Sequence, residues 1–215
     1  MANKNFFITF EGGEGTGKST QTKLLADFLE KRGISCLLTR EPGGSPGAEE
    51  IRNLVVKGEV ARWDAMTEAL LMFAARRDHL AHKIWPALRD GRTVICDRFA
   101  DSTMAYQGFG YGGKGLKPED VQKLYDIVIG DFKPDLTIIM DLPIEKGLER
   151  ALKRDASSNR YERMGAAFHE NLRQAFLTIA RQEPGRCAVV NADRPIEELH
   201  EEIAALVTER LLLKE

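Results

Sequence analysis

Gly12-Gly13-Glu14-Gly15-Thr16-Gly17-Lys18-Ser19 fits G-x-x-x-x-G-K-[ST] without a gap. An apolar, β-prone run, Phe6-Phe7-Ile8-Thr9-Phe10, precedes it, and Leu24, Leu25, Phe28 and Leu29 recur at helical spacing behind it, up to Gly33. Strand, glycine loop and helix in that order predict a phosphate-binding loop. Glycines let the backbone curl until several N–H groups converge on phosphate oxygens, and the helix N-terminus adds its positive end. The pattern assigns Gly12 through Ser19, and Thr20 beside it, to a nucleoside triphosphate. Lys18 holds the terminal phosphates, and the Ser19 hydroxyl takes one place on Mg²⁺.

Outward from this loop, apolar runs alternate with helical patterns. Phe6–Glu11, Ser35–Arg40, Thr93–Asp97, Asp135–Asp141 and Cys187–Asn191 read as five strands. The alternation predicts an α/β fold, a five-stranded parallel sheet with helices on both faces, in one domain over residues 1–215. With 43% hydrophobic and 30% charged residues the chain reads as an ordinary soluble globule. A net charge of −2 gives no global field toward nucleic acid or membrane. Cys36, Cys96 and Cys187 have no metal or redox spacing and read as buried, reduced thiols of a cytoplasmic protein. The first apolar run is too short for a signal peptide, and no run approaches transmembrane length.

Ligands of such sheets sit beyond the carboxyl ends of the strands, so the residues after each strand carry the functional reading. After the second comes Arg40-Glu41-Pro42-Gly43-Gly44-Ser45-Pro46-Gly47, a constrained turn leading to a helix with Arg52; as a binding loop it offers Glu41 and Arg52, as a surface loop only solvated charges. A helical pattern runs from Asp64 to Asp90, with Met66, Leu70, Phe73, Leu80, Ile84 and Leu88 on one face. Arg77 lies on that stripe four residues after Phe73, and a ring beside a guanidinium suits a planar heterocycle; the alternative is a core Phe and a snorkelling Arg. His79 and His82 read as polar-face residues rather than metal ligands. The third strand ends in Asp97-Arg98-Phe99, where a carboxylate reaches Mg²⁺ and a cation follows at the same edge. In the next segment Ser102 and Tyr106, and Thr103 and Gln107, are four apart and present hydroxyl, phenol and amide groups. Phe109 to Gly115 reads as a mobile glycine loop. Arg150, Arg154, Arg160 and Arg163 bracket a polar turn that reads either as a lid bringing cations over phosphates or as a solvated helix pair.

These residues together resemble the bacterial thymidylate kinases, in the nucleoside monophosphate kinase group, over nearly the whole chain. The resemblance rests on Glu11 to Thr20, Arg40-Glu41-Pro42-Gly43-Gly44, Phe73-Ala74-Ala75-Arg76-Arg77, Asp97-Arg98-Phe99 and Ser102 to Gly108. It implies transfer of a phosphoryl group from ATP to dTMP with Mg²⁺, giving dTDP for dTTP synthesis, in a cytoplasmic homodimer. It implies that Phe73 stacks on thymine, Arg77 bonds a base carbonyl, and Thr103 and Gln107 lie near the base edge. Tyr106 lies under the deoxyribose, and Glu14 faces the acceptor sugar or the metal. Arg52 and Arg98 hold the acceptor phosphate, and Arg154 and Arg160, in a lid over residues 150–163, approach the transferred group. Lys18, Asp97 and Arg98 complete the catalytic set, with Ser19 and Asp97 at the metal; Glu41 and Ser102 join the acceptor site. Gly15 stands where some relatives carry an arginine, which shifts weight to the lid. Another small P-loop kinase, acting on a nucleoside or a different monophosphate, is the nearest alternative; a non-catalytic nucleotide switch is more remote, since no Asn-Lys-x-Asp motif is present.

Overall fold

The five apolar runs form one sheet in a computed structural model of the chain, which describes residues 5–59, 62–154 and 160–212, with positions 113, 154, 160, 162 and 212 described by backbone alone. The strands β1 (Phe7–Glu11), β2 (Cys36–Arg40), β3 (Thr93–Asp97), β4 (Leu136–Asp141) and β5 (Cys187–Asn191) lie in the order β2-β3-β1-β4-β5, every neighbouring pair parallel. Apart from Asp97 and Asp141 at their ends, β1, β3 and β4 are buried throughout, which their unbroken apolar character requires of strands covered on both faces. Register brings the carboxyl ends level: Phe10 and Arg40 both pair with Asp97, and Glu11 pairs with Ile139.

Helix α1 (Lys18–Glu30) packs on one face with α9 (Ile196–Val207), where Leu25, Leu29, Leu199 and Ile203 meet Phe10 and Ile138. The other face takes α8 (Ala166–Gln182) through Leu172 and Phe176, and a cluster of Phe7, Phe73, Leu80, Ile84 and Phe99 beneath β1 and β3. The remaining helices are α2 (Pro46–Val56), α3 (Ala65–His79), α4 (Trp85–Arg89), α5 (Ala100–Thr103), α6 (Pro118–Ile129) and α7 (Ile144–Arg154). Cys36, Cys96 and Cys187 are buried free thiols, and burial pushes each one's pKa up. Among the described residues no helix is long and apolar enough to cross a membrane.

Two expectations change. The pattern from Asp64 to Asp90 is not one regular helix: α3 passes through a π-helical turn, Leu80–Ile84, into α4. Pro86 has no N–H for the carbonyl four residues back, and the turn before it widens, with Trp85 N–H bonding Leu80 O. The apolar stripe therefore does not stay buried; Phe73, Leu80 and Ile84 are enclosed, whereas Met66 and Leu70 are 40% and 51% exposed. The segment Phe109 to Gly115 is not an open loop either. Residues Met104–Gly110 form a second π-helical turn and Gly112–Lys114 a 3₁₀ turn. A Cβ on Gly110 would stand 2.8 Å from the Phe168 ring, and one on Gly115 2.7 Å from Gln107 O. These glycines serve close packing.

Candidate functional site

At the carboxyl edge of β1 the chain turns through the glycine loop into α1. Lys18 Nζ donates to Gly12 O, Gly13 O and Thr16 Oγ1 at 3.1, 2.6 and 3.2 Å, so its ammonium is held over the loop. Burial, and then the neighbouring Arg98, pull its pKa down to about 8, against Glu14 and Asp97, which hold it up. Ser19 Oγ donates to Asp97 Oδ2 at 2.7 Å. A hydroxyl and a carboxylate converging there are the hard oxygen donors that Mg²⁺ takes, and the pair fits that ion. Gly15 has φ 68°, and a Cβ there would collide with the carbonyl oxygen of Gly147 in α7; a Cβ on Gly147 would lie 2.6 Å from Glu14 O. Loop and helix touch backbone to backbone, which excludes any side chain at position 15.

The groove above this loop, ≈ 1290 Å³ with the solvent at its mouth included, is also lined by Arg40, Glu41, Pro42, Arg52, Asp97 and Arg98. Arg98, with φ 70°, is the one non-glycine residue of left-handed backbone among those described. Glu11 holds it there. This fully buried carboxylate accepts from Phe99 N–H, Ser102 N–H and the Ser102 hydroxyl at 2.8, 3.2 and 2.6 Å, fastening both sides of the turn. Burial, and then Asp101, raise its pKa to about 7. The Arg98 guanidinium reaches Gly12 O, Ser102 Oγ and Glu14 Oε1 at 2.9, 3.2 and 2.9 Å. Glu14 also accepts the Tyr106 hydroxyl at 2.7 Å; burial works against its charge, but Arg98 and Lys18 prevail and hold its pKa at about 2. Burial likewise opposes the charge on Arg98, yet Tyr106, Glu14 and Asp97 hold its pKa above the usual range.

Beside the groove lies a chamber of ≈ 420 Å³, lined by Met72, Arg76, Phe99, Thr103, Tyr106, Gln107 and Tyr161, among others. Glu14, Glu41, Pro42 and Arg98 line both compartments. Arg76 is 3% exposed, and its guanidinium is fixed on three sides: Nε to Glu41 at 2.7 Å, Nη1 to Thr103 at 3.1 Å, Nη2 to Phe99 O at 3.0 Å. Three of its N–H groups are used, which leaves two of the usual five for a ligand. Glu41 is held in turn by His79 Nδ1 at 3.0 Å, and His79 Nε2 meets Thr39 Oγ1 at 2.7 Å.

Most sequence-predicted residues converge here: the loop from Glu14 to Thr20, Glu41, Arg52, Asp97, Arg98, Ser102, Thr103, Tyr106 and Gln107 all line one compartment or both, whereas Gly12 and Gly13 line neither. Phe73 and Arg77 do not. Phe73 is 2% exposed and packs with Phe7, Leu80 and Phe99, whereas Arg77 is exposed, donates to Val128 O and covers the Trp85 ring. The pair one residue earlier, Met72 and Arg76, faces the chamber. Both pairs are four apart, and one residue turns a helix by about 100°, so spacing alone does not choose between them. His79 is fully buried rather than on the polar face, because Glu41 and Thr39 satisfy its ring; His82 is exposed. Among the described residues no cluster of His, Cys, Asp or Glu has metal-holding geometry.

The lid expectation lies partly outside the described residues. Residues 155–159 and the side chains of Arg154 and Arg160 belong to the undescribed part. Of the other two arginines, Arg150 donates to Ala192 O at 3.3 Å and Arg163 to Gly58 O at 2.5 Å. Sequence reasoning gave no role to Glu11 or Tyr161. Glu11 carried one usable signal, a carboxylate closing a buried strand directly before the loop.

A model of the thymidylate kinase family matches residues 10–203. The chain is 52% identical over 209 residues to the thymidylate kinase of Caulobacter vibrioides, covering 97% of this chain and 98% of that protein. It is 50% identical over 207 residues to that of a Bradyrhizobium species, covering 95% and 90%. Its fold is similar to a crystal structure of thymidylate kinase from Ehrlichia chaffeensis, with a TM-score of 0.75, 37% identity, and 95% and 98% of the two chains covered.

Proposed function

The chain belongs to the thymidylate kinase family, and from that premise we propose how its two compartments divide the work of making dTDP from ATP and dTMP for dTTP synthesis. The observation that carries the reading is the common wall. A groove floored by the glycine loop and the smaller chamber beside it meet at Glu14 and Arg98. The donor's phosphates lie on the loop under Lys18, and the acceptor's pyrimidine fills the chamber between Met72, Phe99 and Tyr106. The two phosphate tails then approach each other across Arg98.

The nucleophile is a phosphate oxygen, largely ionised near neutral pH, so no general base is needed. What the protein supplies is alignment and compensation of charge. Arg98 lies against the junction with its charge secured. Arg52, bonded to Pro42 O at 2.7 Å, offers its remaining N–H groups to the acceptor phosphate. Ser19 and Asp97 would hold Mg²⁺, which when bound offsets charge on the donor's phosphates. Arg154 and Arg160 are our candidates for cations brought by a lid over residues 150–163. Tyr106, tied by its hydroxyl to Glu14, is our candidate for the flat floor under the sugar that disfavours a 2′-hydroxyl.

Met66 and Leu70 on α3 and Ile127 on α6 are exposed apolar side chains on two helices that touch, and we assign them to the contact of a homodimer acting in the cytoplasm. An acceptor panel coupled to ADP release tests the function. dTMP is expected to be the best acceptor, and dUMP, lacking one methyl, about 10- to 200-fold poorer. ADP release that needs no acceptor, with no diphosphate formed, overturns the reading.

A further inference from the structure

Behind the chamber, out of reach of any ligand in it, lies the fully buried carboxylate of Glu68 on α3. It receives Gln107 Nε2 at 3.0 Å, the Tyr161 hydroxyl at 3.1 Å and the Tyr111 hydroxyl at 3.0 Å. Gln107 Nε2 also reaches the Tyr161 oxygen at 3.3 Å. Both N–H bonds of the Gln107 amide are therefore spent on the side of Glu68. Its other atom, Oε1, is buried, has no hydrogen-bond partner, and belongs to a side chain that lines the chamber. Turning the amide over would set Oε1 against a carboxylate oxygen, acceptor against acceptor, so the orientation is determined from behind. Next to it Arg76 retains unspent N–H groups. The chamber thus presents an acceptor beside donors.

We propose that Glu68 is a positioning residue that selects the pyrimidine: by holding the Gln107 amide with Oε1 inward, it makes the chamber demand a ring N–H. This rests on the reading above, that the chamber takes the acceptor's base. The imide of thymine or uracil carries N3–H flanked by carbonyls and complements the acceptor and donors. Cytosine carries a bare N3 and an exocyclic amine, the inverse pattern, and leaves Oε1 unpaired. Tyr161 and Tyr111 come from two separate segments, and both reach the same carboxylate.

5-Methyl-dCMP is the diagnostic acceptor, because it keeps the methyl group and changes only the edge. For the full-length enzyme the ratio of kcat/KM for dTMP to that for 5-methyl-dCMP is expected to be about 10⁴ or more, as for sites built around a substrate N–H. In Glu68→Gln the new amide can donate to Gln107, which is then free to turn its own NH₂ inward. The ratio is expected to fall about 100-fold, with KM for ATP unchanged. A ratio that stays at the wild-type value while both activities drop together overturns the proposal. If melting shows that Glu68→Gln does not fold, NMR of the wild-type enzyme with dTMP labelled at N3 decides. The bound imino proton should be shielded from exchange, with the Gln107 NH₂ signals unmoved by binding. A freely exchanging imino proton, or NH₂ signals that shift, overturns it. Absence of any dTMP turnover in the wild type would instead overturn the functional reading.

Discussion

Arg76 and Arg77 are adjacent in sequence, and only the fold separates them. Arg76→Ala removes a guanidinium from a buried carboxylate, Glu41, and from the chamber at once. We expect kcat/KM for dTMP to fall about 10²- to 10³-fold and stability to fall by roughly 3 kcal/mol. Arg77→Ala, at an exposed site, should stay within about 0.5 kcal/mol of wild type and keep its kinetics; an equal loss in both variants would refute the assignment. The motif string containing both arginines was legible, but which of them faces the ligand was not, since that depends on one residue of helical rotation. The pKa of Lys18, about 8, leads to a second expectation. The group must be charged to hold phosphate, and bound phosphate raises its pKa again. ATP affinity should therefore be level below about pH 8 and fall about tenfold per unit above it, with a proton taken up on binding near that pH. Calorimetry in buffers of different ionisation heat measures the uptake. Affinity that stays level to about pH 9.5 would show that Lys18 does not titrate there.

Strands are the elements the residues announce most plainly, because a run buried on both faces has no polar alternation to obscure it; each strand begins and ends within one residue of expectation. The helix ends and turns were harder. Nothing local to Leu80–Ile84 marks a widened turn; its cause, Pro86, lies just downstream. The glycines of Phe109 to Gly115 read as mobility when read alone, whereas their use is to let backbone approach Phe168 and Gln107. At this scale the contact between the phosphate loop and α7 has a sharp test. Gly147→Ala places a methyl 2.6 Å from Glu14 O and is expected to cost about 2 kcal/mol, which for a chain of this size lowers Tm by roughly 4–8 °C. Gly15→Arg should be worse and should weaken ATP binding as well. A Gly147→Ala enzyme melting within about 1 °C of wild type would mean that loop and helix can separate freely.

The sheet order β2-β3-β1-β4-β5 carries the phosphate loop on its central strand and the Asp97-Arg98 turn on the strand beside it. The parallel five-stranded sheet was legible because strand, loop and helix occur in an order with few alternatives; the order of its strands was not, since it depends on which crossovers pass which strand. Of the chamber, Ser102, Thr103, Tyr106 and Gln107 were legible, whereas Met72, Arg76 and Tyr161 were not, since they come to it from α3 and from a segment far along the chain. Nor does periodicity say that Met66, Leu70 and Ile127 stay uncovered. If their face joins two copies, Leu70→Glu combined with Ile127→Glu should give a folded monomer by sedimentation velocity; unchanged sedimentation would place the contact elsewhere.

Glu14 and Arg98 line both compartments, and on the proposed reading they form a septum with one nucleotide on either side. Two nucleotides placed so would each have a floor of their own, and neither would need to depart before the other arrives. The timetable of the reaction follows from that partition. Both guests are aboard together when the bond changes hands, the enzyme is never itself the carrier of the group, and reciprocal plots of rate against either guest converge instead of running parallel.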